Sequence, residues 1–102
     1  SLDGDTHRGG VDRAELDPVA DAVAQASGLR LAGLMAVPPL ESDADAAFAD
    51  LAGLHQRLLR SYPTATGLSA GMTGDLEEAV RHGSTCVRVG TAILGPRPVT
   101  SP

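Results

Sequence analysis

The feature that most constrains this chain is the alternation of short apolar segments with helical patterns, joined by short connections. Such alternation is typical of βαβ units, in which the strands form a parallel sheet covered by helices. The segment 29–37 is nearly continuously apolar, as expected for a strand that is covered on both faces. In chain order we predict the end of a strand and a loop over 1–10, helix 17–27, strand 29–37, helix 42–60, strand 64–69, helix 74–82 and strand 86–93. The pattern alone fits either an open sheet or part of a closed barrel.

The longest predicted helix, 42–60, has both a start signal and an apolar face. Ser42 and Asp45 are spaced as in a capping box, which satisfies backbone N–H groups at a helix start. His55 is placed on the polar face of this helix. The apolar side chains that recur at helical spacing, and that we expect to face the sheet, are Ala47, Phe48, Leu51, Leu54, Leu58 and Tyr62.

The composition argues against several classes of function. The chain has 102 residues, fewer than the roughly 250 of a closed eight-stranded βα barrel. Its formal net charge of −5, with no basic face, argues against binding to nucleic acid, and no apolar run approaches membrane-spanning length. The single cysteine, Cys86, which we place in a buried strand, favours a reducing compartment. None of the three histidines has a second ligand at the spacing of a metal site.

Two predicted strands run into turns that are rich in glycine and hydroxyl side chains. The first turn contains Ser69 and Thr73, and the second contains Gly90 and Thr91. Ligands of parallel sheets bind beyond the carboxyl ends of the strands, where glycines let backbone N–H groups approach an anion. The pattern therefore predicts a phosphate site, although tight turns between strand and helix explain the same glycines equally well.

Charged residues near these turns would have opposite effects on the binding of an anion. Arg88 lies in the last predicted strand and shares a face with Gly90, so we favour contact with a ligand over a structural ion pair within the sheet. Asp75, Glu77 and Glu78 crowd the start of the helix after Thr73, where their charge would oppose a phosphate. We therefore expect the turns to supply more contacts to an anion than this helix start does.

Three segments of the chain resemble the pyridoxal phosphate homeostasis proteins of the YggS/PROSC type. They are 33–39 (GLMAVPP), 68–77 (LSAGMTGDLE) and 83–95 (GSTCVRVGTAILG), and the last is long and rather specific. The segments 1–5 (SLDGD) and 8–11 (RGGV) are similar to the family segment that follows its fifth strand. The resemblance extends from Ser1 to about Arg97.

This resemblance implies a single-domain (β/α)8 barrel like the N-terminal domain of alanine racemase. Such proteins bind pyridoxal 5′-phosphate (PLP) through a lysine, have no established catalytic activity, and are regarded as cytoplasmic, usually monomeric carriers or regulators of the cofactor. The partners implied are PLP and PLP-dependent apoenzymes. By matching positions, Ser69 and the Gly90–Thr91 turn would bind the phosphate, with Met72 and Thr73 close by, and Arg88 would face the pyridine nitrogen.

Two departures from the family pattern affect the expectation. Ala70 stands where the family has a methionine, and the chain contains no lysine, so it supplies no amine for covalent attachment of PLP. We interpret 1–97 as the C-terminal half of the barrel, from part of strand five to strand eight, and 98–102 as a disordered tail. Two alternatives stay open: a fragment of an alanine racemase-type enzyme, for which Tyr62 is poorly placed as a base, and a structural fragment that binds nothing.

Overall fold

The computed structural model describes residues 1–39 and 42–98. Its helices and strands alternate as the sequence predicts over residues 16–81, and two short 3₁₀ helices precede them at Thr6–Arg8 and Arg13–Glu15. Within the described ranges, no helix is both long enough and apolar enough to cross a membrane. The elements are α1 (Leu16–Gln25), β1 (Gly33–Met35), α2 (Ala44–Ser61), β2 (Gly67–Ser69), α3 (Leu76–Arg81) and α4 (Thr91–Leu94).

The two strands pair in parallel, which confirms the predicted βαβ arrangement around α2. Leu34 lies opposite Leu68, and Met35 lies opposite Ser69. At the start of the pair the backbones approach very closely, because a Cβ built on Gly33 would overlap the carbonyl oxygen of Gly67. Glycine is therefore required at position 33 for this register.

One side of the strand pair is covered by α2 and α3. Leu68 is 3% exposed and forms one apolar cluster with Phe48, Leu51, Ala70 and Ala79, among others. A second cluster joins α1 to the far end of α2 and to the loop before β2, through Ala20, Leu58 and Ala65. Burial of side chains such as Phe48 contributes on the order of 2–3 kcal/mol each, so α2 is the central element of the fold.

Polar contacts fix the position of α2. Asp43 caps it by accepting a hydrogen bond from the backbone N–H of Asp45 at 3.0 Å, close to the start that the sequence predicts. Farther along, the guanidinium of Arg13 donates to both carboxylate oxygens of Asp50, at 3.1 and 2.6 Å, and to the carbonyl of Leu2 at 2.7 Å. The hydrogen bond from Arg13 lowers the pKa of Asp50. The N-terminal segment is thereby tied to the helix.

Some predictions of strand structure are wrong. The last predicted strand, 86–93, is reduced to a single parallel bridge between Ser69 and Cys86, after which the chain enters α4. A strand needs a partner along its length, and the segment after Ser69 turns over α3 instead of continuing the ladder. Residues 1–10 contain a 3₁₀ helix and no strand, and the strand predicted over 29–37 forms only at Gly33–Met35, opposite the three residues of β2.

Two side chains lie in environments opposite to those predicted. His55 is buried, with Nε2 2.8 Å from the carbonyl oxygen of Ala65, so it joins α2 to the loop before β2. Cys86 is exposed although it pairs with Ser69, because it lies on an open face of the strands beside Met35. The domain boundary after Arg97 stays a prediction, and 99–102 of the predicted tail lie outside the described residues.

Candidate functional site

The two turns predicted from the sequence lie side by side in the structure. The backbone N–H of Arg88 donates to the carbonyl of Gly71 at 2.8 Å. The hydroxyl oxygen of Thr73 accepts a hydrogen bond of 3.3 Å from the N–H of Ala92 in α4. These contacts hold the turn after β2 against the turn that enters α4.

A cavity of about 430 Å³ lies between the two turns. Four of the six residues that we predicted for the site line it, and no acidic side chain does. Its single ionisable lining residue is Arg97, the last residue of the predicted barrel half. The lining residues are Met72, Thr73, Gly74, Gly90, Thr91, Leu94, Gly95 and Arg97.

Gly71 allows the first turn to pass directly over α3. Its φ is +103°, a conformation that other residues rarely adopt. A Cβ at this position would lie 2.8 Å from the Cβ of Ala79 and 3.3 Å from the Cα of Leu76. The residue is therefore required both for its backbone conformation and for its lack of a side chain. It sets the direction in which Met72 and Thr73 leave the sheet.

The acidic residues at the start of α3 are kept out of the cavity. Asp75 accepts a hydrogen bond from the N–H of Met72 at 2.7 Å, so its carboxylate stabilises the first turn. Glu78 lies 3.8 Å from Arg81 on the same helix. The N–H of Met72, which belongs to the first turn, is consequently occupied by this carboxylate.

Ser69 does not line the cavity. It belongs to β2 and contributes to a shallow depression of about 270 Å³ on the strand face opposite the helices, together with Met35 and Cys86, among others. Met35 on this face is 63% exposed. The structure thus separates Ser69 from the other hydroxyl residues predicted for the site.

Arg88 also lies outside the cavity lining, and its surroundings are unusual. Its guanidinium donates to the carbonyl of Ala36 at 3.2 Å, just beyond β1. The Nε atom is buried and has no hydrogen-bond partner among the described residues. A buried N–H without a partner costs roughly 1–3 kcal/mol, and an acceptor on a bound ligand would remove that cost. The alternative interpretation of the sequence was an ion pair between Arg88 and a carboxylate within the sheet. Among the described residues this ion pair is not formed, since the observed partner of Arg88 is the carbonyl of Ala36.

Arg97 is the functional candidate that sequence reasoning missed. The predicted barrel half ends at this residue, and we gave it no role in the site. The available signal was a cation two positions after Gly95, at the end of the glycine-rich segment. The structure places it beside Gly90 and Thr91 in the cavity wall.

The parallel strand pair joined through α2, with turns beyond the carboxyl ends of the strands, places the chain among the α/β proteins. The family described as "Alanine racemase, N-terminal domain" matches residues 1–98. The chain belongs to this family.

Comparison with curated proteins shows which members of this family the chain is similar to. The chain is 55% identical, over 105 aligned residues, to the "Pyridoxal phosphate homeostasis protein" of Mycobacterium tuberculosis, covering 100% of this chain and 41% of that protein. It is 44% identical over 99 residues to the protein of the same name from Corynebacterium glutamicum, covering 97% and 45%. The chain thus spans about two fifths of the length of these relatives. The resemblance that the motifs indicated is confirmed.

Solved structures agree on the fold. PipY of Synechococcus elongatus without PLP superimposes with a TM-score of 0.79 at 33% identity, covering 89% of this chain and 45% of that one. The PLP-bound structure of PipY gives a TM-score of 0.70 at 34% identity, covering 85% and 43%. The chain therefore has the α/β fold with parallel strands of part of a (β/α)8 barrel, as predicted.

Proposed function

We propose that this chain contributes the phosphate- and pyridine-binding part of a PLP site, and that the protein serves PLP homeostasis. The observation that carries the proposal is the cavity between the two turns, which is lined by Thr73, Gly90 and Thr91 and has no acidic wall. The names of the relatives and the PLP-bound PipY structure support the same ligand.

The residues of the cavity have the donors that a phosphate needs. The Thr73 oxygen already accepts the N–H of Ala92, so its own proton is available to a phosphate oxygen. Thr91 offers a second hydroxyl, and Gly90 allows an anion to approach the backbone closely. Met72, 43% exposed, supplies an apolar part of the wall. Ser69 is retained in the proposal because it matches the family position, although it lies on the adjoining strand face.

Arg88 is proposed to meet the pyridine nitrogen of the cofactor. Its buried Nε without a partner fits an acceptor atom of this kind. Because a guanidinium stays protonated at all relevant pH values, Arg88 would donate a hydrogen bond to the nitrogen without protonating it. Bound PLP supplies an electron sink for reactions at amino groups, and an unprotonated ring is a weaker one. This supports storage or delivery of the cofactor over broad catalysis.

The chain fits PLP but cannot attach it covalently through a side-chain amine, since it contains no lysine. Within the proposal, the protein is a cytoplasmic monomer without catalytic activity that exchanges PLP with apoenzymes. The single cysteine supports the reducing compartment. No observation favours the alternative of an alanine racemase-type enzyme: the hydroxyl of Tyr62 donates to Asp21, which raises the pKa of Tyr62, and neither residue lines the cavity.

The proposal is tested by equilibrium dialysis of the protein, as its gene encodes it, against PLP and against pyridoxal. We expect PLP to bind more tightly than pyridoxal, and Thr91→Val to reduce that preference several-fold. The matched control is Thr64→Val, in the exposed loop before β2, which should leave the preference unchanged. Equal affinity for the two ligands in the unaltered protein would contradict the proposal.

A further inference from the structure

The predicted site residues that line the cavity are all uncharged, so they do not neutralise the charge of a phosphate. A phosphate monoester carries up to two negative charges, and an ion that leaves water for an uncharged pocket loses hydration energy. Threonine hydroxyls and glycine N–H groups offset only part of that loss. The chain is acidic overall, with a formal net charge of −5, and Asp75 lies in the turn that bounds the cavity. A nearby cation is therefore needed for strong binding.

Arg97 meets this need by position. It is the single ionisable residue among those that line the cavity, which include Thr73, Gly90 and Thr91. Its planar guanidinium can bind two oxygens of a phosphate at once. Arg88 cannot take this role in the observed arrangement, because its guanidinium is turned towards the carbonyl of Ala36.

The backbone before Arg97 is shaped to bring the chain back to the cavity. The N–H of Gly95 donates to the carbonyl of Thr91 at 3.0 Å, which ends α4. Gly95 then has a φ of +84°, with nothing within 4 Å of an added Cβ, so glycine is needed there for its conformation and not for space. The ring of Pro96 fixes the φ angle of that residue, and Arg97 follows immediately.

We propose that Arg97 is a further anion-binding residue of this site, and that it makes the site selective for phosphorylated over unphosphorylated B6 vitamers. This inference deepens the proposed function and rests on it for the identity of the ligand. In this arrangement the phosphate accepts hydrogen bonds from the hydroxyls of Thr73 and Thr91 and from the guanidinium of Arg97. The neutral hydroxymethyl group of an unphosphorylated vitamer gains nothing from Arg97.

The test uses pyridoxine 5′-phosphate and pyridoxine, because neither has an aldehyde and covalent capture cannot hide a loss of affinity. Calorimetric titration of the protein as its gene encodes it compares Arg97→Gln and Arg97→Lys with the unaltered form. The matched control is Arg30→Gln, since Arg30 is exposed and precedes β1 at the opposite end of the strand. Thermal melting checks that each variant is folded. If Arg97→Gln is unstable, Arg97→Lys still tests the site, because it keeps the positive charge but lacks the planar guanidinium.

We expect Arg97→Gln to weaken pyridoxine 5′-phosphate binding about tenfold and to leave pyridoxine binding unchanged, because a hydrogen bond to a charged partner is lost. Arg97→Lys should retain part of the affinity, and Arg30→Gln all of it. Unchanged binding of pyridoxine 5′-phosphate in folded Arg97→Gln, with loss in Thr91→Val, would overturn the role of Arg97 and leave the proposed function intact.

A titration with inorganic phosphate, monitored by ³¹P NMR line broadening, shows whether the role of Arg97 or the proposed PLP function is wrong. Broadening that depends on Arg97 in a protein that does not bind PLP would support the anion site and contradict the proposed function. Absence of broadening together with equal binding of both vitamers would overturn both.

Discussion

The βαβ unit formed by β1, α2 and β2 differs in kind from the two turns that follow it, residues 71–74 and 87–97. In the first region, large apolar side chains such as Phe48 and Leu68 are almost completely buried. In the second, Ile93 and Leu94 are 75% and 85% exposed, and two hydrogen bonds join the turns. The first region therefore provides much of the stability, and the second carries most of the groups that we propose to face the ligand. Substitutions in the two regions should separate these properties.

The largest expected effect is on stability, from Phe48→Ala. Phe48 is 2% exposed at the centre of the main cluster, so its removal should lower the free energy of unfolding by about 3–5 kcal/mol. Urea denaturation monitored by circular dichroism measures this change. The conservative variant Phe48→Leu should lose much less. A loss below about 1 kcal/mol in Phe48→Ala would contradict the assignment of this cluster as the main source of stability.

Gly71→Ala tests the junction between the two regions. The added methyl group would meet Ala79 at 2.8 Å in a backbone conformation unfavourable for alanine. We expect a loss of about 2 kcal/mol or more in unfolding free energy, together with weaker PLP binding. The control is Gly53→Ala within α2, where nothing lies within 4 Å of the new Cβ and helix propensity favours alanine by roughly 0.5–1 kcal/mol. Equal stability of both variants would refute the close approach at Gly71.

Arg88→Ala should affect binding more than stability. Loss of the guanidinium removes the proposed donor to the pyridine nitrogen, so we expect PLP affinity to fall about tenfold. Dialysis of the folded variant against PLP measures the change, and Arg60→Ala at the exposed end of α2 serves as the control. Unchanged retention of PLP in Arg88→Ala would remove this residue from the site.

The smallest effect is expected from Asp50→Asn, in the ion pair that ties the N-terminal segment to α2. The pair is partly exposed, so the loss at pH 7 should be below about 1 kcal/mol. Because Arg13 lowers the pKa of Asp50 below its ordinary 3.8, the contribution is fully present above that value and is lost as the pH falls through the folded-state pKa. We expect the difference in unfolding free energy between the unaltered protein and Asp50→Asn to be smaller at the lowest pH where both stay folded than at pH 7. Urea denaturation at the two pH values measures this difference. A difference that grows on acidification would contradict the prediction.

The elements that could be predicted from the sequence are those determined by local signals. The capping residues and apolar spacing of α2 are local, and its observed bounds lie within two residues of the prediction. His55 could also have been predicted, since it follows Leu51 by four residues and precedes Leu58 by three, on the buried face. We assigned it to the polar face because its side chain is polar, although its spacing matches that of the buried residues.

The features that could not be predicted depend on contacts between distant residues. The segment 86–93 has a strand-like composition, but whether it pairs depends on where the chain goes after Ser69. Similarly, the hydroxyls of the two turns were recognised, whereas the separation of Ser69 and the approach of Arg97 follow from the three-dimensional path of the turns. The sequence therefore indicated which two turns lie together, but not which side chains line the cavity between them.

The most direct test of the account is a crystal structure of the protein, as its gene encodes it, grown with PLP. The account predicts the phosphate in the cavity between Thr73 and Thr91, within hydrogen-bond distance of both hydroxyls, and the pyridine nitrogen facing Arg88. A phosphate bound elsewhere, with the cavity between the two turns unchanged, would contradict it.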